Sequence, residues 1–516
     1  MARAHLIAAA LVLAGCPADR EEGTGGKGGL GRLLAAGEVR AVAADPGGAW
    51  IAWLDGCREA TGQYLPLRTA NCDLRVAPAS GGEARVVARG VTTLPHGFGW
   101  TREGSALAVL AGFDYAGGAG TLLAFRDGVV EEVASDVTFH GFAPGGTLAA
   151  AARGRLVLAP PGAPRSIRGV ESLATFEFDP APGARDRGDV AALLRTRAAA
   201  GGALLALISG TDEVVRLGEG VTDYGFAPAG GTYAFVALRG GAHELRVGRG
   251  RSSAKAGSGA SGFAFARDGS ALAWLGEVEP GRQGNLHLAR VGAPGRILAR
   301  GVGEYRWAAG APRIAWLEGY DPRVRAGTLG AGGLDEATRT IASNVTDFAL
   351  SPDGRRVAFL QHTTRGGYSV DLALSGIDAP AGAKPSQVAQ GVFGFDFSPD
   401  GRWLYYRTRC TRNGEACDLE RVPAEGLAAD GKPTEIARGV KSFEFDPTDP
   451  ARLLLGFQRM DMPALDVAVW QEGRLAAVDQ AIVPGTARFV GPRSERLVYA
   501  VMHPKRAGVY VADLPR

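Results

Sequence analysis

A chain that resembles itself every 37 to 59 residues is constrained to build one small unit many times over, each copy burying an apolar face against its neighbours. The clearest copies run from Val345 to Leu360, reading VTDFALSPDGRRVAFL, and from Val392 to Tyr406, reading VFGFDFSPDGRWLYY. Weaker copies begin near Val39, Phe98, Phe139, Phe176, Tyr224, Gly262, Tyr305, Phe443 and Phe489, which brings the repeat to eleven units.

Within a unit the pattern is that of short strands. Phe393, Phe395 and Phe397 alternate with small or polar residues, the period of a half-buried strand. Ser-Pro-Asp-Gly then reverses the chain: Pro fixes φ, Asp accepts local backbone hydrogen bonds and Gly allows positive φ. A second apolar strand, a variable hairpin and a third strand follow, and the fourth ends in Gly-Val, as at Gly301-Val302 and Gly439-Val440. Four antiparallel strands per unit predict an all-β fold built of β-propeller blades. The 77 Gly and 29 Pro in 516 residues suit many strands joined by tight turns.

Eleven blades exceed the usual four to eight of a single ring, so two rings are predicted, over 31–258 and 259–516. Their junction is placed in the Gly/Ser-rich stretch Arg249 to Gly262. The last unit has room for only three strands before Arg516, and Arg32 to Val39 reads as a displaced fourth strand. Docked there, it would cover an otherwise free edge.

The aromatic-x-aromatic-Ser-Pro-Asp-Gly core of the units at 345–360 and 392–406 resembles the WD40-like (PD40) propeller repeats of TolB-type proteins. The resemblance covers residues 31 to 516 as architecture and implies a fold, not an activity. It departs from TolB in lacking a separate α/β domain ahead of the propeller.

Residues 1–16 have a short basic start, an apolar run from Leu6 to Leu13 and small residues before a cysteine, the layout of a secretory signal. The run Leu13-Ala14-Gly15-Cys16 resembles the bacterial lipobox, which implies lipid on the Cys16 sulfur after cleavage. Residues 17–30 are charged and then Gly-rich, the composition of a flexible tether. With Pro17 rather than Asp after the lipidated position, the resemblance implies export and an outer-membrane anchor in the bacterial cell envelope. Four further cysteines, an even number in an exported chain, favour disulfides over metal ligation. Counting outward from the Asn413-Gly414 turn sets Cys410 opposite Cys417, and Cys57 is paired with Cys72 because both pairs end in Cys-Asp-Leu.

Chemistry-bearing motifs are few. Nucleophile elbows, phosphate-binding loops and HExxH are absent from the sequence, and the seven His occur singly. His96 and His140 fall at equivalent points before Gly-Phe, as facing residues at a channel mouth or as backbone-bonded histidines. Glu177, Asp179, Asp396, Glu444 and Asp446 recur at strand ends, as a cation-binding ring or as turn chemistry. Trp53, Trp274, Trp316, Trp403 and Tyr405 read as inter-blade core. The net charge of +3 is spread along the chain and argues against a nucleic-acid partner.

The expected function is a lipid-anchored, non-catalytic propeller that binds an envelope protein or glycan and needs no cofactor or metal. Its partner surface is expected in the insertions Arg58 to Asn71, Gln361 to Tyr368 and Thr411 to Ala416, through Arg58, Tyr64, Arg68, His362, Arg365, Arg412 and Asn413. The alternative is an enzyme with a small-molecule or metal site in the channel, lactonase- or lyase-like.

Overall fold

A computed structural model describes residues 31–514, apart from 60–69, 95, 105, 144, 161–164, 168–169, 182–188, 199–200, 280–282, 363–369, 381, 412–413 and 427–431. The regular elements among these residues are all β-strands, in antiparallel sheets that follow chain order. The unit at 302–342 shows the pattern. The end of strand Arg296–Trp307 pairs with Arg313–Asp321, which pairs with Ala326–Gly333, which pairs with the start of Arg339–Leu350. Long strands thus serve two units, closing one sheet with their first half and opening the next with their second. This up-and-down order of four strands is that of a propeller blade.

The switch between the two halves explains the recurrent Gly-Val. Gly90, Gly220, Gly301, Gly391 and Gly439 hold the left-handed backbone there, with φ between 59° and 72°. Asp136, Ser172, Asn344 and Ala481 hold it in units where the glycine is lost. A register shift follows, as between Val302 and Glu304, and turns the strand onto the next sheet. The valine one residue on, such as Val302 or Val440, is fully buried.

The Ser-Pro-Asp-Gly turns form as their chemistry dictates. Ser351 Oγ donates to Asp353 Oδ1 at 2.6 Å and accepts from the Arg356 N–H at 3.0 Å. Ser398 repeats both contacts with Asp400 and Trp403 at the same distances. Gly354 and Gly401 close the turns at φ 69° and 71°.

Each sheet buries its faces only against its neighbours. Leu54 and Leu74 of the first unit share a cluster with Leu107 and Val109 of the second. Leu148 meets Leu122, and further on Val236 and Leu245 meet Leu272 and Trp274. The series returns to its start: Ile51 and Trp53 of the first unit pack with Val498, Val509 and Val511 of the last. Strand Arg32–Ala36 supplies the missing fourth strand of that last unit, pairing with Gly508–Asp513. The Gly31 N–H donates to Tyr499 Oη at 2.8 Å, and Tyr499 Oη donates to the buried Asp479, itself held by Arg506 at 2.8 Å.

One expectation is corrected. The stretch Arg249 to Gly262 is no linker: Ser252–Ser258 is the outermost strand of a unit, paired with Ala242–Arg249, and Ala260 sits in the core shared with Trp274. Its poverty in large residues has a packing cause, since a Cβ on Gly257 would run into the Trp274 ring.

Gly439 isolates the value of the left-handed switch, because nothing lies within 4 Å of a Cβ added there. Gly439→Ala therefore meets only the backbone cost of about 1–2 kcal/mol. A fall in unfolding free energy of that size, read by chemical denaturation, is expected.

Candidate functional site

The long connections come first, because topology places them together. Strands alternate in direction and each unit holds an even number of them, so second-to-third hairpins and unit-to-unit switches lie at one end of the sheets. The Ser-Pro-Asp-Gly turns and third-to-fourth turns lie at the other. All three insertions singled out in the sequence join a second strand to a third, on the same face.

Two of them are stapled. Cys57 is bonded to Cys72 and Cys410 to Cys417. Each staple begins just after a left-handed residue that breaks the regular register, Gly56 at φ 57° and Arg409 at φ 47°. The first rests on the neighbouring unit: Asn71 beside Cys72 donates to the Phe113 carbonyl at 3.5 Å, and Tyr115 Oη donates to the Ala70 carbonyl at 2.8 Å. The second is braced by charge. Arg409 pairs with Asp418 at 2.7 Å and with the nearly buried Glu420, which also accepts from Tyr406 Oη at 2.7 Å. These carboxylates push the Arg409 guanidinium pKa well up. Phe393, 56% exposed, lies against Gly414 of the same hairpin.

Of the expected contact residues, Arg58 is exposed near the end of strand Trp50–Glu59, opposite Asn71. His362 is half-buried at the end of Arg356–His362, opposite Val370. Tyr64, Arg68, Arg365, Arg412 and Asn413 lie outside the described residues, as do Cys16 and the tether.

The recurrent carboxylates divide into two kinds. Asp179 and Asp446 are buried turn residues: Asp179 accepts from the Ala181 and Gly231 N–H groups at 3.0 Å, and Asp446 from Thr448 N–H at 2.7 Å while pairing with Arg452. Glu177, Asp396 and Glu444 stand on the innermost strands. There polar side chains tie one unit to the next. Glu177 accepts from the Phe226 N–H at 3.2 Å, Tyr224 Oη donates to Thr175 Oγ1 at 2.9 Å, and Arg306 pairs with Asp347 at 2.9 Å. Asp396 and Glu444 flank a shallow groove with Phe395, Phe443 and Arg407, and Arg407 donates to the Lys441 carbonyl at 2.5 Å. Burial raises the carboxyl pKa values of Glu177, Asp223 and Asp396 and lowers that of the Arg407 guanidinium. Among the described residues no three His, Cys, Asp or Glu side chains gather as a metal site.

The two histidines do meet, through a backbone carbonyl. His140 Nε2 donates to the His96 carbonyl at 2.6 Å, and its Nδ1 is buried with no partner among the described residues. His96 rests edge-on to Phe113, ring centres 6.0 Å apart. Trp53, Trp274, Trp316 and Tyr405 are buried core, and Trp403 is half-buried beneath the Arg421 guanidinium, 4.0 Å from its ring centre.

No protein-family model matches the sequence, and no curated protein matches it. Among solved structures the chain is similar to a eukaryotic initiation factor, with 12% identity, 79% of this chain and 90% of that chain covered, and a TM-score of 0.42. It is similar to an oligogalacturonate lyase in complex with manganese at 13% identity, covering 63% of this chain and 96% of that chain, TM-score 0.33. The Dos1 propeller is a third, at 10% identity, 69% and 97% covered, TM-score 0.36. These likenesses are distant, and the propeller reading rests on the strand order above.

Burial holds the His96 and His140 imidazoles below their ordinary 6.5. The folded chain then binds fewer protons than the unfolded chain once pH falls below 6.5, so this contribution to stability drops as pH falls further. Glu177, Asp223 and Asp396, with raised values, act in the opposite sense at pH above their unfolded range near 4. The thermal midpoint of His140→Gln is expected to fall less between pH 7 and pH 5.5 than that of the unaltered protein. Equal slopes would assign the pH dependence elsewhere.

Proposed function

We propose that this chain is an exported, lipid-anchored β-propeller that binds a protein or glycan of the bacterial cell envelope and performs no catalysis. The observation that carries the reading is the stapling of equivalent hairpins on one face. A cross-linked loop loses less entropy when a partner immobilises it, and disulfides of this kind persist in oxidising compartments. The carboxylates of the inner strands support it too, since Glu177 and Asp347 serve contacts between units. Lipid on Cys16, an outer-membrane address and a TolB-type origin of the repeat belong to the same proposal, supported by the signal-like start, Leu13 to Cys16 and the Ser-Pro-Asp-Gly cores.

The eleven repeats are proposed to form one closed ring in place of the two expected. The shared core at Ala260 argues against a boundary there, and the packing of Trp53 on Val498 and Val509 supports closure of the first unit on the last. Negative-stain electron microscopy is expected to show a single disc with a central opening; two smaller discs per chain would restore the two-ring arrangement.

The binding role is tested by photocrosslinking in cells from the stapled hairpins, with purification from the membrane fraction. One envelope partner recovered from wild type and lost with Cys410→Ser/Cys417→Ser is the expected result. Cys16→Ser is expected to move the protein from the membrane to the soluble exported fraction, and unchanged membrane recovery would overturn the lipid anchor.

A further inference from the structure

Two junctions between units share one framework and differ in whether it is filled. In the fourth unit Thr175 faces Arg195 across the first two strands, and in the ninth Gly394 faces Arg407 in the same register. Each guanidinium crosses to the next unit at the same place: Arg195 donates to the Thr222 carbonyl at 3.0 Å and Arg407 to the Lys441 carbonyl at 2.5 Å. Two residues beyond those carbonyls stand Tyr224 and Phe443. Between the fourth and fifth units the space is closed by side chains. Tyr224 Oη donates to Thr175 Oγ1 at 2.9 Å, and Glu177 accepts from the Phe226 N–H at 3.2 Å.

Between the ninth and tenth units both hydroxyls are missing. Phe443 has none and Gly394 has no side chain. Asp396 stands in the place of Glu177 but is one methylene shorter, and it accepts from the adjacent Phe397 N–H instead. What this leaves is the groove flanked by Phe395, Asp396, Arg407, Phe443 and Glu444. The two rings are half-buried and the two carboxylates exposed. Neither carboxylate is paired with a side chain among the described residues, and Arg407 holds a carbonyl but no carboxylate. The groove adjoins the second staple: Phe393, next to Gly394, lies against Gly414 of that hairpin, and Lys441 Nζ stands 3.7 Å from Glu415.

A ligand for this groove has to bring what the protein leaves out. A hydroxyl donates to a carboxylate and accepts from a guanidinium, so it suits Asp396 and Glu444 on one side and Arg407 on the other. The C–H faces of a sugar ring are apolar and match the rings of Phe395 and Phe443. A net charge of either sign on the ligand would meet a like charge, in the two carboxylates or in the guanidinium, which disfavours it.

We propose that the groove between the ninth and tenth units binds an uncharged glycan, whose hydroxyls take the places that Tyr224 and Thr175 fill at the other junction. This narrows the binding role proposed above to a glycan and rests on it.

The test uses the full-length protein in detergent on a printed array of neutral, N-acetylated and uronic oligosaccharides, followed by titration with the neutral oligosaccharide that binds best. The double variant Gly394→Thr/Phe443→Tyr restores the tie found at the other junction. Gly394 is outside the left-handed backbone region, and a Cβ there comes within 3.3 Å only of the Arg407 guanidinium, the far end of a long side chain. This variant is expected to keep or raise the thermal midpoint and to bind about tenfold more weakly. Glu444→Ala removes an exposed side chain without a partner, and it is expected to weaken binding at an unchanged midpoint; it decides the matter where the double variant folds poorly. Arg355→Ala, in a Ser-Pro-Asp-Gly turn, is expected to bind as wild type. A blank array, equal binding by Gly394→Thr/Phe443→Tyr and Glu444→Ala, equal loss in Arg355→Ala, or tighter binding of a polyuronate would each overturn the proposal. Photocrosslinking from the stapled hairpins in cells separates the two failures. A protein partner recovered while the array stays blank overturns the glycan groove and leaves the binding role standing, whereas a blank array without a crosslinked partner overturns both.

Discussion

No sheet in this protein can bury its own apolar faces, and the rest of the structure follows from that. A four-stranded antiparallel unit has two faces and little thickness, so Leu54 and Leu74 need Leu107 and Val109 of the next unit, and so on along the chain. Such a series leaves one face bare at each end unless the ends meet. They meet through Ile51, Trp53, Val498 and Val509. Strand Arg32–Ala36 adds a second tie by completing the last sheet with residues from the start of the chain. Its entry is fixed at a buried polar knot, where Tyr499 stands between the Gly31 N–H and the Asp479 carboxylate while Arg506 neutralises the charge. A buried carboxylate without that cation would be costly, so the knot is demanding of all its members.

Much of this architecture was legible because turn chemistry is local. Ser-Pro-Asp-Gly specifies its hydrogen bonds within five residues, and Ser351 and Ser398 make the same ones. Gly-Val marked the end of the fourth strand, where the left-handed switch lies, and hairpin geometry paired Cys410 with Cys417, the likeness of the two segments pairing Cys57 with Cys72. What misled was packing across units. Ser252–Ser258 reads as a linker because its own residues are small, yet small residues are what the indole of Trp274 requires. Composition within a window carries no trace of an aromatic ring that arrives from the next sheet.

The same distinction separates the candidate site residues. Asp179 and Asp446 serve turns, and the Asp-Pro that follows the inner strand in each was a visible sign of it. Glu177 serves a contact with Phe226, 49 residues on, and no local pattern announces that. His140 is similar: its equivalence to His96 was visible, but the bond runs to the His96 carbonyl and not to its ring.

The two ends of the sheets differ in how their connections are held. Turns made of Ser, Pro, Asp and Gly satisfy their polar groups internally, with Ser351 and Ser398 buried in making them. Second-to-third hairpins are held by contacts that differ from unit to unit, Asp114 accepting from the Gly117 N–H and Arg459 pairing with Asp461. The two disulfides stand just beyond the left-handed residues Gly56 and Arg409, where the ladder is interrupted, and tie strand to strand at the base of hairpins on one face. Local turn chemistry thus holds one end of the units at 345–360 and 392–406, while covalent and ionic contacts hold the hairpins at the other end.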